Sequence, residues 1–507
     1  MGLELSLNER LHGKKGYVIF RKDGLGGVRP EVEYPRVEPT NGNSFYLTID
    51  LALQFIAEEE LRIGAEKNNA ESGLVILMDP KTGEILATAQ YPPMDPMEPS
   101  TCDQKNQKLR IITDRIEPGS VFKIVTASAA FENNLVIPEQ LFNAENGKWA
   151  VPIGRGRLRR IVDDHPHGIV SVQRAMEVSS NIVMAKVSNI VGAERFYKMG
   201  RAFGFGSPTG IELPGENRGI LKKPSDWSRT TLNTMAFGYE VGVTPLQLLN
   251  AYAVIANGGY LIKPHIIKKE VDAKGTIVSE TQTETIRRVL SPATVQIMKQ
   301  LFEGVVDSGT ATAVRIPGIR IAGKTGTAKR HVNGRYEPGK YTASFVGFYP
   351  VEDPKIVCLV MLDNPKGGSY YGGLTSGPVF KAIAERIITT TDRLGQISIQ
   401  QPVIAQQQLV EPKIDKLSSS KTQFDDSMLI QPRQEYSPEE RVVPNLQGCS
   451  VRKAVGILSG DQLDPVVDGY GIVISQDPIA GAVVRPGTKV LLRCEPKSVT
   501  VQTHGLN

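Results

Sequence analysis

The chain has 507 residues, 40% of them hydrophobic and 22% charged, enough for a large core and two or more folded units. Its formal charge of +5 is spread along the chain rather than gathered in a basic block, which argues against nucleic-acid binding. No stretch approaches the ~20 apolar residues of a membrane helix and Met1 to Leu11 is too polar for a signal peptide, so the sequence as written reads as soluble.

Residues 1–45 are polar and rich in Gly and Pro, with a short alternating run from Gly16 to Phe20, and read as the end of something larger. From Ser44 the pattern changes. Asp50 is placed to cap a helix running through Gly64, and Gly73 to Met78 with Glu84 to Ala89 predict two strands joined at Asp79 to Gly83. Ser120 to Phe131 is apolar on nearly every face, the mark of a buried helix. Further helices are expected from Val172 to Val191, stopping at Gly192, and from Pro245 to Ala256. Three strands follow, Arg320 to Lys329, Thr342 to Tyr349 and Lys355 to Leu362, then a helix from about Pro378 to Thr389. The order predicts an α+β fold, one antiparallel sheet covered by helices.

Residues 393–438 turn to Gln, Ser, Pro and charge without periodicity and read as a linker. Order returns over 439–497, with a helix near Val451 to Leu458 and strands at Gly471 to Ser475 and Thr488 to Leu492, before a tail at 498–507. Four cysteines are too scattered for a disulfide framework or a zinc site. Cys358 lies in an apolar run that predicts a buried thiol, while Cys449 and Cys494 share the C-terminal unit, where a bridge between them is left open.

Ser-x-x-Lys places a hydroxyl and an amine on one helical face, and it occurs at Ser120–Lys123, Ser418–Lys421 and Ser450–Lys453. Only the first follows a Glu117-Pro118-Gly119 turn and puts its lysine inside an apolar helix. Burial lowers a lysine's pKa, so that a neutral amine can act as base to the hydroxyl. Ser179-Ser180-Asn181 interrupts the apolar pattern of the expected helix, where Ser and Asn are indifferent formers. Lys324-Thr325-Gly326-Thr327 lies in a strand, where Gly is unfavourable unless another backbone or ligand approaches closely. A second Lys-Thr-Gly at Lys81 reads as an ordinary turn after Asp79-Pro80. Ser-x-x-Lys, Ser-x-Asn and Lys-Thr-Gly in this order form a set shared by penicillin-binding proteins and β-lactamases. Asp163-Asp164-His165-Pro166-His167 is read as a loop rather than a metal site, since no further ligand completes a set.

Glu117 to Lys123, the triplet at Ser179, Gly323 to Ala328, and Tyr370-Tyr371-Gly372-Gly373 with Pro378-Val379-Phe380 resemble class B penicillin-binding proteins over roughly residues 46–392. Val442 to Leu446, Ser475 to Pro478, Ala480-Gly481 and Arg485 to Thr488 resemble a PASTA domain, and together the two look like the cell-division type. The resemblance implies a serine β-lactamase/transpeptidase-like antiparallel sheet flanked by helices, a small α/β PASTA module, and a pedestal remnant in residues 1–45. It implies a peptidoglycan D,D-transpeptidase of septal wall synthesis, inhibited by β-lactams, with Ser120 as nucleophile and Lys123 as its base. Ser179, linked to Lys123 and Lys324, would pass a proton to the leaving D-Ala, and Asn181 would hold the substrate amide. Lys324, Thr325, Gly326 and Thr327 would recognise the terminal carboxylate, with the N–H groups of Ser120 and Thr327 as oxyanion donors. No metal or cofactor is implied. The implied partners are stem peptides on lipid-linked or nascent glycan, β-lactams, and divisome proteins including a polymerising glycosyltransferase. The implied location is extracytoplasmic, on a membrane anchor that this chain does not contain. Leu109-Arg110 replaces the usual Asn-Arg pair, and Lys329 a frequent Gln. The alternatives are a D,D-carboxypeptidase or serine β-lactamase, for which Glu212 is the nearest deacylating base by order, and a non-catalytic sensor of β-lactams or wall.

Overall fold

The computed structural model describes residues 2–22, 24–30, 36–94, 102–154, 157–332, 335–390, 440–469 and 472–495. The expected linker, with Ser418 and Lys421, lies outside them. The chain divides into two compact units, Met1–Gly395 and Gln396–Asn507.

The first unit is built on five strands: β1 (Ser72–Met78), β2 (Ile85–Tyr91), β3 (Ala322–Val332), β4 (Arg335–Tyr349) and β5 (Ile356–Asp363). Their order is β3-β4-β5-β1-β2, every pair antiparallel, so β3 is an edge. The sequence expectation holds, with β3 and β4 forming a longer hairpin than their apolar cores predict. β5 is buried at all eight positions and apolar at every one but its last, Asp363, because helices cover both faces of the sheet.

Those helices are α1 (Leu51–Lys67), α2 (Lys123–Glu132), α3 (Val172–Glu177), α4 (Asn181–Val191), α5 (Pro245–Ala256), α6 (Pro292–Asp307) and α7 (Ser376–Thr390). Asp50 caps α1 as expected, accepting from Ala52 and Leu53 N–H, and the helix runs one turn beyond Gly64. Phe345 and Tyr349 of β4 meet Phe380 of α7, whereas Phe348, on the other face by strand alternation, lies under Lys299 of α6. Helix α6 was missing from the sequence reading although Ser291-Pro292 is a helix start: Ser291 caps Thr294 N–H and Pro292 occupies the first turn.

The N-terminal segment opens with a helix at Gly2–Leu11, and Ser44–Leu47 pairs with Ile267–Val271. Arg10 and Asn43 both donate to the buried Glu270 carboxylate of that strand, so residues around 45 are tied to the body of the unit.

The second unit packs α8 (Val451–Gly460) on β6 (Asp464–Gly469), β7 (Ile472–Asp477) and β8 (Lys489–Glu495), where β8 is central, parallel to β6 and antiparallel to β7. Its core includes Val443, Leu446, Leu458, Val473, Val490 and Leu492. Strand β6 was not expected, since Asp464-Pro465 and Asp468-Gly469 resemble turn signals. Ser450 caps α8 by accepting the backbone N–H of Lys453, whose side chain is exposed. Cys102, Cys358, Cys449 and Cys494 are all free thiols, with Cys358 buried.

Candidate active site

Ser120 does not open an α-helix. Gly119–Phe122 forms a 3₁₀ turn and α2 begins at Lys123, a correction to the continuous helix expected from Ser120. The tighter turn still brings i and i+3 together, as a 3₁₀ turn eclipses them. Val121 and Phe122 are fully buried, and Tyr252 of α5 donates its hydroxyl to Val121 C=O at 2.8 Å, which pins the turn from below. Gly119 has φ +60° and donates its N–H to Gly238 C=O at 3.1 Å. A Cβ on Gly238, itself at φ +87°, would fall 2.0 Å from Gly119 C=O. Two glycines facing each other across that gap set the height of the serine.

The helix expected over Val172 to Val191 is broken at the second motif, into α3 and α4. Apolar periodicity continues across the break, which hides it, but Ser179 adopts φ +62° and Ser180 caps α4 by accepting Val183 N–H at 3.1 Å. Asp163 completes the corner: its buried carboxylate accepts from Ser180 Oγ at 2.6 Å, Asn181 N–H at 2.6 Å and Ile182 N–H at 3.0 Å. The break swings the Ser179 hydroxyl out of the helix surface and toward the two lysines. Asn181 donates its side-chain amide to Val162 C=O at 2.9 Å.

Lys324 sits on β3, the open edge, with its side chain fully buried beneath it. Its Nζ lies 2.9 Å from Ser179 Oγ. Lys123 Nζ lies 3.0 Å from Ser120 Oγ, 3.0 Å from Ser179 Oγ and 2.5 Å from Ser179 C=O. One hydroxyl therefore bridges two buried amines, one of which touches the second serine. Gly326 is required by the approach of the same elements: a Cβ there would lie 2.3 Å from Ser344 Oγ and 3.1 Å from Val121 Cγ1. Thr325 shares a 2.7 Å hydroxyl–hydroxyl bond with Thr310, and Thr327 Oγ1 accepts Gly372 N–H at 3.1 Å.

Burial pushes the Lys123 amine down to about 7, against the opposing pull of Asp163 and Asp164. Lys324 is held well below the usual lysine range by burial and then by the adjacent Lys123. Two ammonium groups sharing one hydroxyl oxygen in a dry site repel, so the pair favours a single proton.

All of Ser120, Lys123, Ser179, Asn181, Lys324, Thr325, Gly326 and Thr327 are thus gathered at one place. Sequence reasoning missed Asp163, Tyr252, Gly238 and Thr310, which lie outside the three motifs. Asp163 had been read only as part of a loop. Lys81, in the second Lys-Thr-Gly, is an exposed turn residue paired with Asp353. Glu212 accepts Ile266 N–H at 3.1 Å. Arg110 is engaged with Asp114 and the buried Asp363, at 2.7 and 2.5 Å. Among the described residues no group of three His, Cys, Asp or Glu is placed to hold a metal ion, and no helix is long and apolar enough to cross a membrane.

Residues 73–385 match the penicillin binding protein transpeptidase domain, and residues 441–495 match the PASTA domain. The chain is 34% identical over 384 residues to a probable peptidoglycan D,D-transpeptidase PenA of Neisseria meningitidis, covering 75% of this chain and 63% of that protein. It is 31% identical over 494 residues to stage V sporulation protein D of Bacillus subtilis, covering 97% of this chain and 71% of the relative. Among solved structures, penicillin binding protein 3 of Mycobacterium tuberculosis complexed with ampicillin superposes with a TM-score of 0.64 at 31% identity, over 71% of this chain and 80% of that one. The TP domain of Burkholderia pseudomallei penicillin-binding protein 3 gives 0.58 at 34% identity, over 67% and 94%. With its three motifs converging on a five-stranded sheet of the same architecture, the chain belongs to the penicillin-binding protein transpeptidase family and carries a PASTA domain after the transpeptidase domain.

Proposed function

We propose that the chain is a peptidoglycan D,D-transpeptidase that cross-links stem peptides through an acyl-enzyme on Ser120. The observation that carries this reading is the Ser179 hydroxyl held between two buried amines, with Lys123 also on Ser120. Neutral Lys123 takes the Ser120 proton as Oγ attacks the penultimate D-Ala carbonyl. The C–N bond to the terminal D-Ala breaks, and its nitrogen receives that proton by way of Ser179. The terminal carboxylate is recognised by Lys324, Thr325 and Thr327 along the open edge of β3, where Gly326 leaves room for close backbone approach. A carboxylate beside Lys324 draws the shared proton to that amine and leaves Lys123 neutral, so donor binding itself prepares the base. Asn181 orients the substrate amide, and the N–H groups of Ser120 and Thr327 receive the oxyanion, each such donor being worth roughly 3 kcal/mol. The acyl group then passes to an amine of a neighbouring stem peptide.

In this reading residues 1–45 are the end of a pedestal domain, 46–392 the catalytic domain, 393–438 a linker, 439–497 the PASTA module and 498–507 a tail. The catalytic domain works outside the cytoplasm on a membrane-anchored protein, beside divisome proteins and a polymerising glycosyltransferase, on lipid-linked or nascent glycan. The test is intact-protein mass after mixing with a labelled penicillin, with the modified peptide sequenced. One adduct on Ser120 that persists far longer than catalytic turnover is expected. An adduct surviving in Ser120→Ala removes the nucleophile assignment, and rapid recovery of free enzyme with hydrolysed penicillin would favour a lactamase.

A further inference from the structure

The acyl acceptor is a primary amine, which reaches the site as an ammonium ion near neutral pH. The floor of the cleft offers it two basic amines rather than an anion, since Lys123 and Lys324 both stand on the Ser179 hydroxyl there. A cationic acceptor needs an anion at the mouth, and three other carboxylates near the site are committed among the described residues. Asp163 is buried and holds the start of α4. Glu117 accepts from Glu240 N–H and the Tyr336 hydroxyl, both at 2.9 Å. Glu240 accepts from Thr231 and Thr234, both at 2.7 Å, and pairs with Arg159.

Asp164 is different. It is exposed, and its carboxylate makes no hydrogen bond or ion pair with another described residue. It directly follows Asp163, which bonds Ser180, Asn181 and Ile182 at the second motif, and its charge acts on Lys123, Lys324, Tyr239 and Tyr371. Nor is it free to wander. On one side Asp163 bonds the second motif and donates its N–H to Gly147 C=O at 3.1 Å. On the other, Pro166 packs so closely on Gly147 that a Cβ there would lie 3.1 Å from Pro166 Cα.

We propose that Asp164 is an acceptor-binding residue, its carboxylate docking the cationic amine that takes the acyl group from Ser120. The inference rests on the transpeptidase reading above. The docked ammonium gives up one proton to solvent, and the free amine attacks the ester carbonyl. The C–N bond forms, the C–Oγ bond breaks, and the second nitrogen proton returns through Lys123 to Ser120 Oγ.

The test compares the full chain with its Asp164→Asn and Asp164→Glu variants at pH 8, using a D-alanyl thioester donor. Two acceptors are offered, a lysine amide blocked on its α-amine and hydroxylamine, which is uncharged at that pH. Acylation by penicillin should change less than twofold in Asp164→Asn, because Lys123, at about 7, is already mostly neutral at pH 8. The ratio of aminolysis to hydrolysis with the cationic amine should fall about tenfold in that variant, an effect of the size a desolvated charge pair supplies. It should stay unchanged with hydroxylamine, and Asp164→Glu should restore most of the loss. An unchanged ratio with the cationic amine overturns the proposal. So does an equal fall with both acceptors, or a fall in acylation itself, since either would mean that Asp164 supports the site as a whole rather than the cationic acceptor. A wild-type chain that takes no acyl group at all would instead refute the transpeptidase reading.

Discussion

With Lys123 as the proposed base for Ser120, an amine at about 7 predicts that the rate of acylation traces a titration curve. A base must be neutral to accept the Ser120 proton, so the second-order constant for penicillin should follow the neutral fraction. That fraction is about 0.1 at pH 6 and about 0.9 at pH 8 for such a group, which predicts a rise of about tenfold across the interval and a plateau above it. Asp163 and Asp164 act in the other direction by favouring the cation. Asp164→Asn should therefore move the midpoint to lower pH without changing the plateau. Stopped-flow quenching with a fluorescent penicillin between pH 5.5 and 9 measures both. A flat profile, or one that rises only where an ordinary lysine titrates, would refute the assignment of Lys123 as the base and the burial argument behind it.

The same depressed amine implies a stability change. Because the unfolded chain binds that proton more tightly, stability rises with pH between about 7 and the ordinary lysine value, and the burial cost is fully present below pH 7. At about 1.4 kcal/mol per decade this cost is about 5 kcal/mol, so Lys123→Met should melt several degrees higher than the wild type at pH 6 and lose most of that advantage by pH 10. Gly238→Ala, whose Cβ would fall 2.0 Å from Gly119 C=O, should fold but acylate at least ~100-fold more slowly as the serine turn is displaced, measured by the same quenching assay. Asp163→Ala leaves Asn181 and Ile182 N–H without their carboxylate and should cost about 3 kcal/mol in urea denaturation, together with most acylation activity.

What the sequence disclosed was what local spacing encodes. Ser120 and Lys123 lie within one turn, β5 is apolar up to its last residue, Asp363, because both its faces are covered, and Asp50 caps the helix that it precedes. The break at Ser179 was hidden because helical periodicity continues across it, and a left-handed serine has no signature in composition. Asp163 escaped for a different reason: its partners lie on α4, across a loop and a short helix, and only the fold brings them together. Thr310 and Gly238 act through single contacts with Thr325 and Gly119, made across long sequence separations. In the C-terminal unit, Asp464-Pro465 resembled a turn until β8 supplied a parallel neighbour.

The left-handed backbone of Ser179 also bears on how the chain tolerates change. A serine there carries roughly 1 kcal/mol of conformational strain that a glycine would not. Backbone and chemistry therefore pull this position in opposite directions: glycine would suit the turn, and only the bridge between Lys123 and Lys324 demands the hydroxyl. Glycine at 179 would relieve the turn but strip two buried amines of a shared acceptor, so a copy with that substitution and an intact fold would mark a protein that has kept its shape and abandoned its reaction.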